Sequence, residues 1–156
     1  GPFSSALYNM SLNDSLSAEG PLGFFTDNGA SGDRLYVATG TGYAPIRTFL
    51  QQRKIAGPSG RVRILFGCRE QDEQLVTMDV GSLFDAEELN VTLSRPKPGW
   101  HGLTGYVQHH LVESLAGLTD PSVYICGRGG MVKDVRHALK SDFALGRGRV
   151  FSERFD

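Results

Sequence analysis

Five short apolar runs recur along the chain: Arg34–Ala38, Val62–Phe66, Asn90–Leu93, Ser122–Cys126 and Arg149–Phe151. Each has the length of a strand, and helical patterns fill the gaps between them. A strand that is apolar throughout must be covered on both faces, which requires a parallel sheet with helices on either side. The strand–helix alternation therefore predicts an α/β fold, a doubly wound five-stranded parallel sheet of the three-layer Rossmann type. The helix after Gly42 places Ile46, Phe49 and Leu50 on one face, and Gly57-Pro58-Ser59-Gly60 ends it. Asp72–Leu89 reads as a partly helical connector interrupted near Gly81, and Pro96–Gly99 as a loop. Tyr106–Leu115 aligns Val107, Leu111 and Leu115, and Met131–Phe143 aligns Met131, Val135 and Leu139. Ahead of the first strand, residues 1–33 lack long periodicity; a short helix is expected over Ser4–Met10 and a brief strand over Ser15–Ala18.

At 156 residues and 40% hydrophobic, the chain can bury the core of one domain. Its 16 basic and 17 acidic residues give a net charge of −1, which argues against nucleic acid as a partner and leaves room for a local basic patch. No apolar run approaches the roughly 20 residues that span a bilayer, and no signal-peptide pattern opens the chain. Gly1-Pro2 has the look of a tag-removal scar and carries no weight. Cys68 and Cys126, far apart in a chain with this much core, suggest a reducing, cytoplasmic setting rather than a disulfide scaffold. No Cys or His spacing suits a metal, and the adjacent His109 and His110 point away from one another.

In a doubly wound sheet, ligands lie beyond the carboxyl ends of the strands. Those ends carry Thr39-Gly40-Thr41-Gly42, Gly67-Cys68-Arg69, Ser94-Arg95, Cys126-Gly127 and Ser152-Glu153. The first is a glycine turn between strand and helix, where backbone N–H groups can face a phosphate. No Lys follows Gly42, so it is not the nucleoside-triphosphate loop, and Pro45 stands where a third dinucleotide-motif glycine would be. Its bland alternative is a tight turn with no ligand. Cys126-Gly127-Arg128-Gly129-Gly130-Met131 is a second glycine-rich strand end opening a helix, and two such turns on one sheet edge are harder to dismiss.

These residues resemble the ferredoxin-NADP reductase family. Val37 to Pro45 is similar to its Thr-Gly-Thr-Gly-x-Ala-Pro motif, and Val123 to Met131 resembles its Tyr-x-Cys-Gly-x-x-x-Met motif. Gly67-Cys68-Arg69 resembles its Gly-x-Arg, Ser152–Phe155 its Glu-x-Phe ending, and Gly20–Phe25 the stretch that joins its flavin and nucleotide domains. The five lie in family order along nearly the whole chain. The resemblance implies that residues 31–156 are an NAD(P)-binding domain and residues 1–30 a linker with the remnant of a flavin-binding β-barrel. It implies NADH or NADPH as cofactor here and FAD in an intact parent, with hydride passing from nicotinamide to flavin. The implied partners are the flavin domain and an electron acceptor with an iron–sulfur centre or haem, or an oxygenase component.

The resemblance further implies roles by residue. Thr41, Cys126 and Glu153 would stand at the reacting end. Thr39, Gly40, Thr41, Gly42, Pro45, Gly67, Arg69, Ser94, Arg95, Tyr106, Cys126, Gly127 and Met131 would hold the cofactor. The family's Arg-x-Tyr/Phe-Ser flavin motif is absent from the chain, so the isolated chain is expected to hold no flavin tightly and to be inactive alone. Ser94-Arg95 fits NADPH-using members, as do Tyr106 and Gln108 for the adenine. Thr104, where those members carry Lys, and the Trp100-x-Gly102-x-x-Gly105 spacing resemble NADH-using oxygenase reductases, and the balance of motifs leans to NADH. The alternative function is a nucleotide-binding regulatory module without redox work. Tyr43, next to the glycine turn, is expected to pack toward the flavin domain, leaving an apolar patch and a route to self-association.

Overall fold

The computed structural model describes residues 1–20, 22–27, 32–57, 59–146 and 148–155. Pro21 of the Gly20–Phe25 stretch, Pro58 of the Gly57–Gly60 break and the expected boundary at 30–31 lie outside the described residues. In chain order the elements are α1 (Pro2–Tyr8), β1 (Arg34–Thr39), α2 (Tyr43–Ala56), β2 (Val62–Cys68), β3 (Leu89–Leu93), β4 (Leu103–Thr104), α3 (Leu111–Leu115), β5 (Ser122–Gly127), α4 (Gly129–Ser141) and β6 (Val150–Arg154). Short 3₁₀ turns fill Gly40–Gly42, Gln71–Glu73, Leu75–Asp79, Ala86–Glu88 and Val107–His110.

The strands form one sheet in the order β4-β3-β2-β1-β5-β6, parallel at every pairing. Strand alternation divides the core in two. Tyr36, Ala38, Ile64, Phe66 and Tyr124 pack against Ile46, Phe49 and Leu50 of α2. Leu35, Val37, Leu65, Val123 and Ile125 pack on the other face against Leu111 of α3 and Val132, Val135 and Leu139 of α4. The expected doubly wound α/β architecture is thus the observed one. The chain reverses its direction of sheet growth between β1 and β5, which opens a crevice at their carboxyl ends.

Four local expectations change. A two-residue sixth strand, β4, joins the edge beside β3; two residues carry no periodicity to read. Ser15–Ala18 is not a strand, because an extended segment with no neighbour has no ladder to join. β6 runs on to Arg154, so Ser152 and Glu153 sit inside it: pairing with β5 holds the backbone extended past Phe151. Finally, Tyr43 does not leave an apolar patch, since it is buried and turned inward.

Every described residue through Phe24 is exposed, and α1 buries nothing. Attachment starts at Phe25, whose ring lies 5.2 Å from that of Phe49 and 6.2 Å from that of Tyr124. Two residues on, Asp27 reaches under the sheet. Its carboxylate accepts from the Arg34 guanidinium at 3.0–3.1 Å, from the Tyr36 hydroxyl at 2.9 Å and from the Tyr124 hydroxyl at 3.1 Å. Arg34 and Asp27 are 2% and 5% exposed, so each charge depends on the other for its solvation. Burial, reinforced by the Asp27 charge, also drives the Tyr36 hydroxyl well above its ordinary pKa.

Asp27→Ala is therefore expected to cost about 3–5 kcal/mol of unfolding free energy, because it strands a buried guanidinium. Removing residues 1–20 should change stability by less than about 0.5 kcal/mol, as befits exposed chain. Urea denaturation of both variants checks the pair, and a costly truncation would show that the leading segment packs after all.

Candidate functional site

The turn after β1 and the turn after β5 meet at the crevice. Gly40 takes φ +52°, a left-handed conformation that side chains resist. The next turn carries the backbone of Gly42 against the end of β5: a Cβ on Gly42 would lie 2.3 Å from the carbonyl oxygen of Cys126. On the β5 side, a Cβ on Gly127 would lie 2.2 Å from Thr39 Oγ1 and 2.9 Å from Met131 Cε. Thr39, Gly42, Cys126, Gly127 and Met131 are thus one packed group. Pro45 stands in the first turn of α2, and Thr41 is exposed at the mouth.

Thr39 Oγ1 is buried and has no hydrogen-bond partner among the described residues. A buried hydroxyl is ordinarily paired, so this one is a group that awaits a partner at the crevice. The space beyond Gly40 is open, with nothing within 4 Å of where a Cβ would sit. An orphaned hydroxyl and a glycine turn facing open space fit a ligand with a polar group and a phosphate.

Cys126 pairs in register with Glu153 on β6. Burial, with the Glu153 charge second, pushes its thiol up to about 12, against a weaker opposing hydrogen bond from the Gly127 N–H. The sulfur is accordingly a neutral thiol at physiological pH rather than a nucleophile. Cys68 is pushed up to about 11 by burial and by the nearby Glu73 and Asp72.

A second group of expected residues gathers at the ends of β2 and β3. The Ser94 N–H donates to the Cys68 carbonyl at 3.0 Å, and the Arg95 N–H to the Arg69 carbonyl at 2.8 Å. The two arginines are therefore neighbours, both exposed and neither in an ion pair among the described residues. The Gly105 N–H donates to the Leu93 carbonyl at 2.8 Å, which brings the exposed Tyr106 beside Ser94. Gly67 has a different place: it is buried, and a Cβ there would strike Val107 Cγ1 at 2.7 Å. Its role in the structure is to let the Val107 turn pack on the sheet.

Reading the sequence missed Asp79. Its carboxylate, 3% exposed, accepts from the Tyr43 hydroxyl at 2.8 Å and from Arg47 at 2.8 and 3.0 Å. Burial pulls the Asp79 pKa upward, but the hydrogen bonds from Arg47 and Tyr43 and the Arg47 charge outweigh it and hold the carboxyl below its ordinary value. Tyr43 and Arg47 are the first and fifth residues of α2, so Asp79 clamps the connector after β2 to the helix that springs from the glycine turn. The available signal was a lone carboxylate in the apolar stretch Leu75–Leu83, together with Tyr and Arg one helical turn apart.

A family model for the oxidoreductase NAD-binding domain matches residues 36–137, from β1 into α4. The chain belongs to that family. It is an NAD-binding domain of the ferredoxin reductase-like type, and ferredoxin–NADP reductase B of Sorangium cellulosum is 37% identical to it over 166 residues, covering 100% of this chain and 68% of that protein. An NADH-cytochrome b5 reductase-like protein of Emericella nidulans is 28% identical over 162 residues, covering 96% of this chain and 33% of that protein. The chain thus spans about two thirds of the first relative and a third of the second. Among solved structures, the CS-b5R domains of human Ncb5or in the NAD+ form superpose with a TM-score of 0.80 at 24% identity, covering 97% of this chain and 45% of that one. Ferredoxin-NADP+ reductase from Plasmodium falciparum gives 0.75 at 23%, covering 99% and 65%. These structural likenesses carry the fold.

Two predictions separate packing from open space. Gly42→Ala should destabilise the domain by about 2–3 kcal/mol, because backbone must move, whereas Gly130→Ala, with nothing within 4 Å, should be neutral or stabilising by up to about 1 kcal/mol. Thermal melts of the two variants decide it, and equal effects would mean that the turns do not touch. The Asp79 clamp has a pH signature. A carboxyl held below its ordinary value stabilises the fold at pH above its unfolded pKa of about 4, and the contribution is lost as pH falls through the folded value. The wild type should therefore lose stability more steeply below about pH 4 than Asp79→Asn, in urea titrations at several pH values.

Proposed function

We propose that this chain binds NADPH along the carboxyl ends of β3, β2, β1 and β5 and presents the nicotinamide between Thr39, Cys126 and Glu153 to a flavin held by an adjoining domain. The observation that carries the reading is the crevice itself: two glycine turns packed backbone to backbone around a buried, unpaired Thr39 hydroxyl. From β5 to β3 is three strand spacings, about 14 Å, a reach suited to a dinucleotide rather than to a mononucleotide.

Each residue then has a task. The Gly40–Gly42 turn, with Thr41 at its mouth, offers the start of α2 to the pyrophosphate, and Pro45 fixes that start. Thr39 Oγ1 pairs with the carboxamide of the nicotinamide. Cys126, as a protonated and buried thiol, forms a neutral wall for the ring, and Glu153 borders it from β6. The residues position and exclude water, because the redox chemistry belongs to the cofactors: when bound, the nicotinamide supplies a hydride and FAD accepts it for onward single-electron transfer.

Arg69 and Arg95 favour NADPH over the NADH toward which the motifs lean. Two neighbouring arginines with no carboxylate partner among the described residues suit a 2′-phosphate, and Ser94 and Tyr106 border them. The ferredoxin–NADP reductase relative, at 37% identity, points the same way. Thr104, in the place of the family's Lys, is the observation for NADH.

An intact parent would be an NAD(P)H-dependent FAD oxidoreductase, with residues 1–30 as linker and barrel remnant. The exposed Phe3, Leu12, Leu22 and Phe24 support a neighbouring domain there. The electron acceptor would be an iron–sulfur or haem protein or an oxygenase component. Among the described residues no helix is long and apolar enough to cross a membrane, and two free thiols agree with a cytoplasmic setting.

Titrating the chain with NAD⁺ and NADP⁺, followed by backbone amide NMR shifts, tests this. Saturable shifts at Thr39–Tyr43 and Cys126–Gly127 are expected, with NADP⁺ bound at least about tenfold more tightly than NAD⁺. Arg95→Ala should abolish that preference and leave NAD⁺ binding intact. Equal affinities that Arg95→Ala does not alter would return the assignment to NADH. The purified chain should carry no stoichiometric flavin by visible absorbance.

A further inference from the structure

The groove between α4 and β6 adjoins the second glycine turn through Gly129 and Gly130 but includes none of Thr39, Gly42, Cys126 or Glu153. It is an open space of about 600 Å³ lined by Gly129, Gly130, Lys133, Arg136, Ser152 and Arg154, with Val132 at its base. Three of these side chains are cationic and none is a carboxylate. The Arg136 guanidinium donates to the Ser152 hydroxyl at 2.8 Å, which ties one cation to the β6 wall. Lys133, Arg136 and Arg154 take part in no ion pair among the described residues, although the chain supplies carboxylates freely elsewhere.

Strand alternation puts this groove on the α4 side of the sheet, away from Cys126 and Glu153. Phe151 stacks on Tyr124 at 4.9 Å, on the α2 face of the sheet. Glu153 and Cys126, each two residues further along, share that face, while Ser152 turns toward α4. One short strand thus serves two environments, an acidic border for the crevice on one side and a cationic groove on the other.

We infer that the α4–β6 groove is a binding site for a phosphate-bearing ligand, separate from the dinucleotide site. A tetrahedral phosphate presents several oxygens at once. It can take a guanidinium fork, an ammonium and a hydroxyl together, which a single carboxylate cannot. The open space has room for more than a bare ion, so a diphosphate and a nucleotide are the ligands to compare.

The test is an amide NMR titration of the isotope-labelled chain with sodium pyrophosphate and, in parallel, with ADP, at fixed ionic strength. Saturable shifts are expected at Gly129, Gly130 and Ser152, and Lys133→Ala and Arg136→Gln should each weaken binding by at least about tenfold. Both positions are exposed, so the variants should keep wild-type spectra elsewhere; Arg154→Ala is the substitute if either does not. Tighter binding of ADP identifies a nucleotide as the source of the phosphate, and equal binding identifies free diphosphate. Three results overturn the inference: shifts that never saturate, affinities that no variant changes, or the same residues responding to NAD⁺ together with Thr39–Tyr43 at one affinity. The last would make the groove an annex of the crevice, and the first two would leave the proposed dinucleotide site untouched.

Discussion

The contact on which the site depends is between two backbones. Where Gly42 meets the carbonyl of Cys126 there is no room for a single side-chain carbon. That closeness fixes the start of α2 against the end of β5 and sets Cys126 into the wall of the crevice. It also brings Thr39 beneath Gly127, where its hydroxyl is enclosed without a partner. Burying a hydroxyl unpaired is unfavourable, and the fold tolerates it here because the strand ends converge on the place where a ligand would complete the pairing.

Two polar hubs hold irregular chain against the same face of the sheet. Asp27 gathers Arg34, Tyr36 and Tyr124, and Asp79 gathers Tyr43 and Arg47. The logic is shared: a carboxylate from a segment outside the sheet reaches inward to tyrosine hydroxyls and one arginine. Neither carboxylate could be buried alone, and neither segment has the apolar periodicity to dock by burial only. The first hub anchors the entry to β1. The second braces the first two turns of α2, so the glycine turn is held from the connector as well as from β5.

The strand ends and glycine turns were legible because their chemistry is local: Thr39–Gly42 and Cys126–Met131 are contiguous, and their geometry follows from the strand–turn–helix pattern. The hubs were not, because a hydrogen bond between residues 36 positions apart, as from Tyr43 to Asp79, leaves no mark on either neighbourhood. Tyr43 illustrates the difference. Its place in the motif suggested an outward-facing ring, and a distant carboxylate turned it inward. Ser15–Ala18 and β6 err in opposite directions for one reason: whether a segment is a strand depends on a neighbour. The first has none, and the second follows β5 beyond the end of its own apolar run. Gly67 carried the signature of a ligand turn, yet Val107, 40 residues on, explains its lack of a side chain.

A net charge of −1 conceals a strong asymmetry across the sheet. Residues 70–88, between β2 and β3, hold seven acidic residues and no Lys or Arg; residues 128–154, through α4 and β6, hold seven basic against three acidic. In the strand order these segments lie toward opposite edges, with the crevice between them. Near-neutral totals therefore say little about the field an approaching anion meets, because short-range charge placement outlasts the screening that erases a distant net charge. The acidic segment also binds its own cations: Lys97 pairs with Glu70 at 2.6 Å, and Arg47 with Asp79. Lys133, Arg136 and Arg154 differ, since no carboxylate among the described residues neutralises them. The acidic segment thus uses Glu70 and Asp79 to hold the fold together, whereas Lys133, Arg136 and Arg154 are left to act on something outside it.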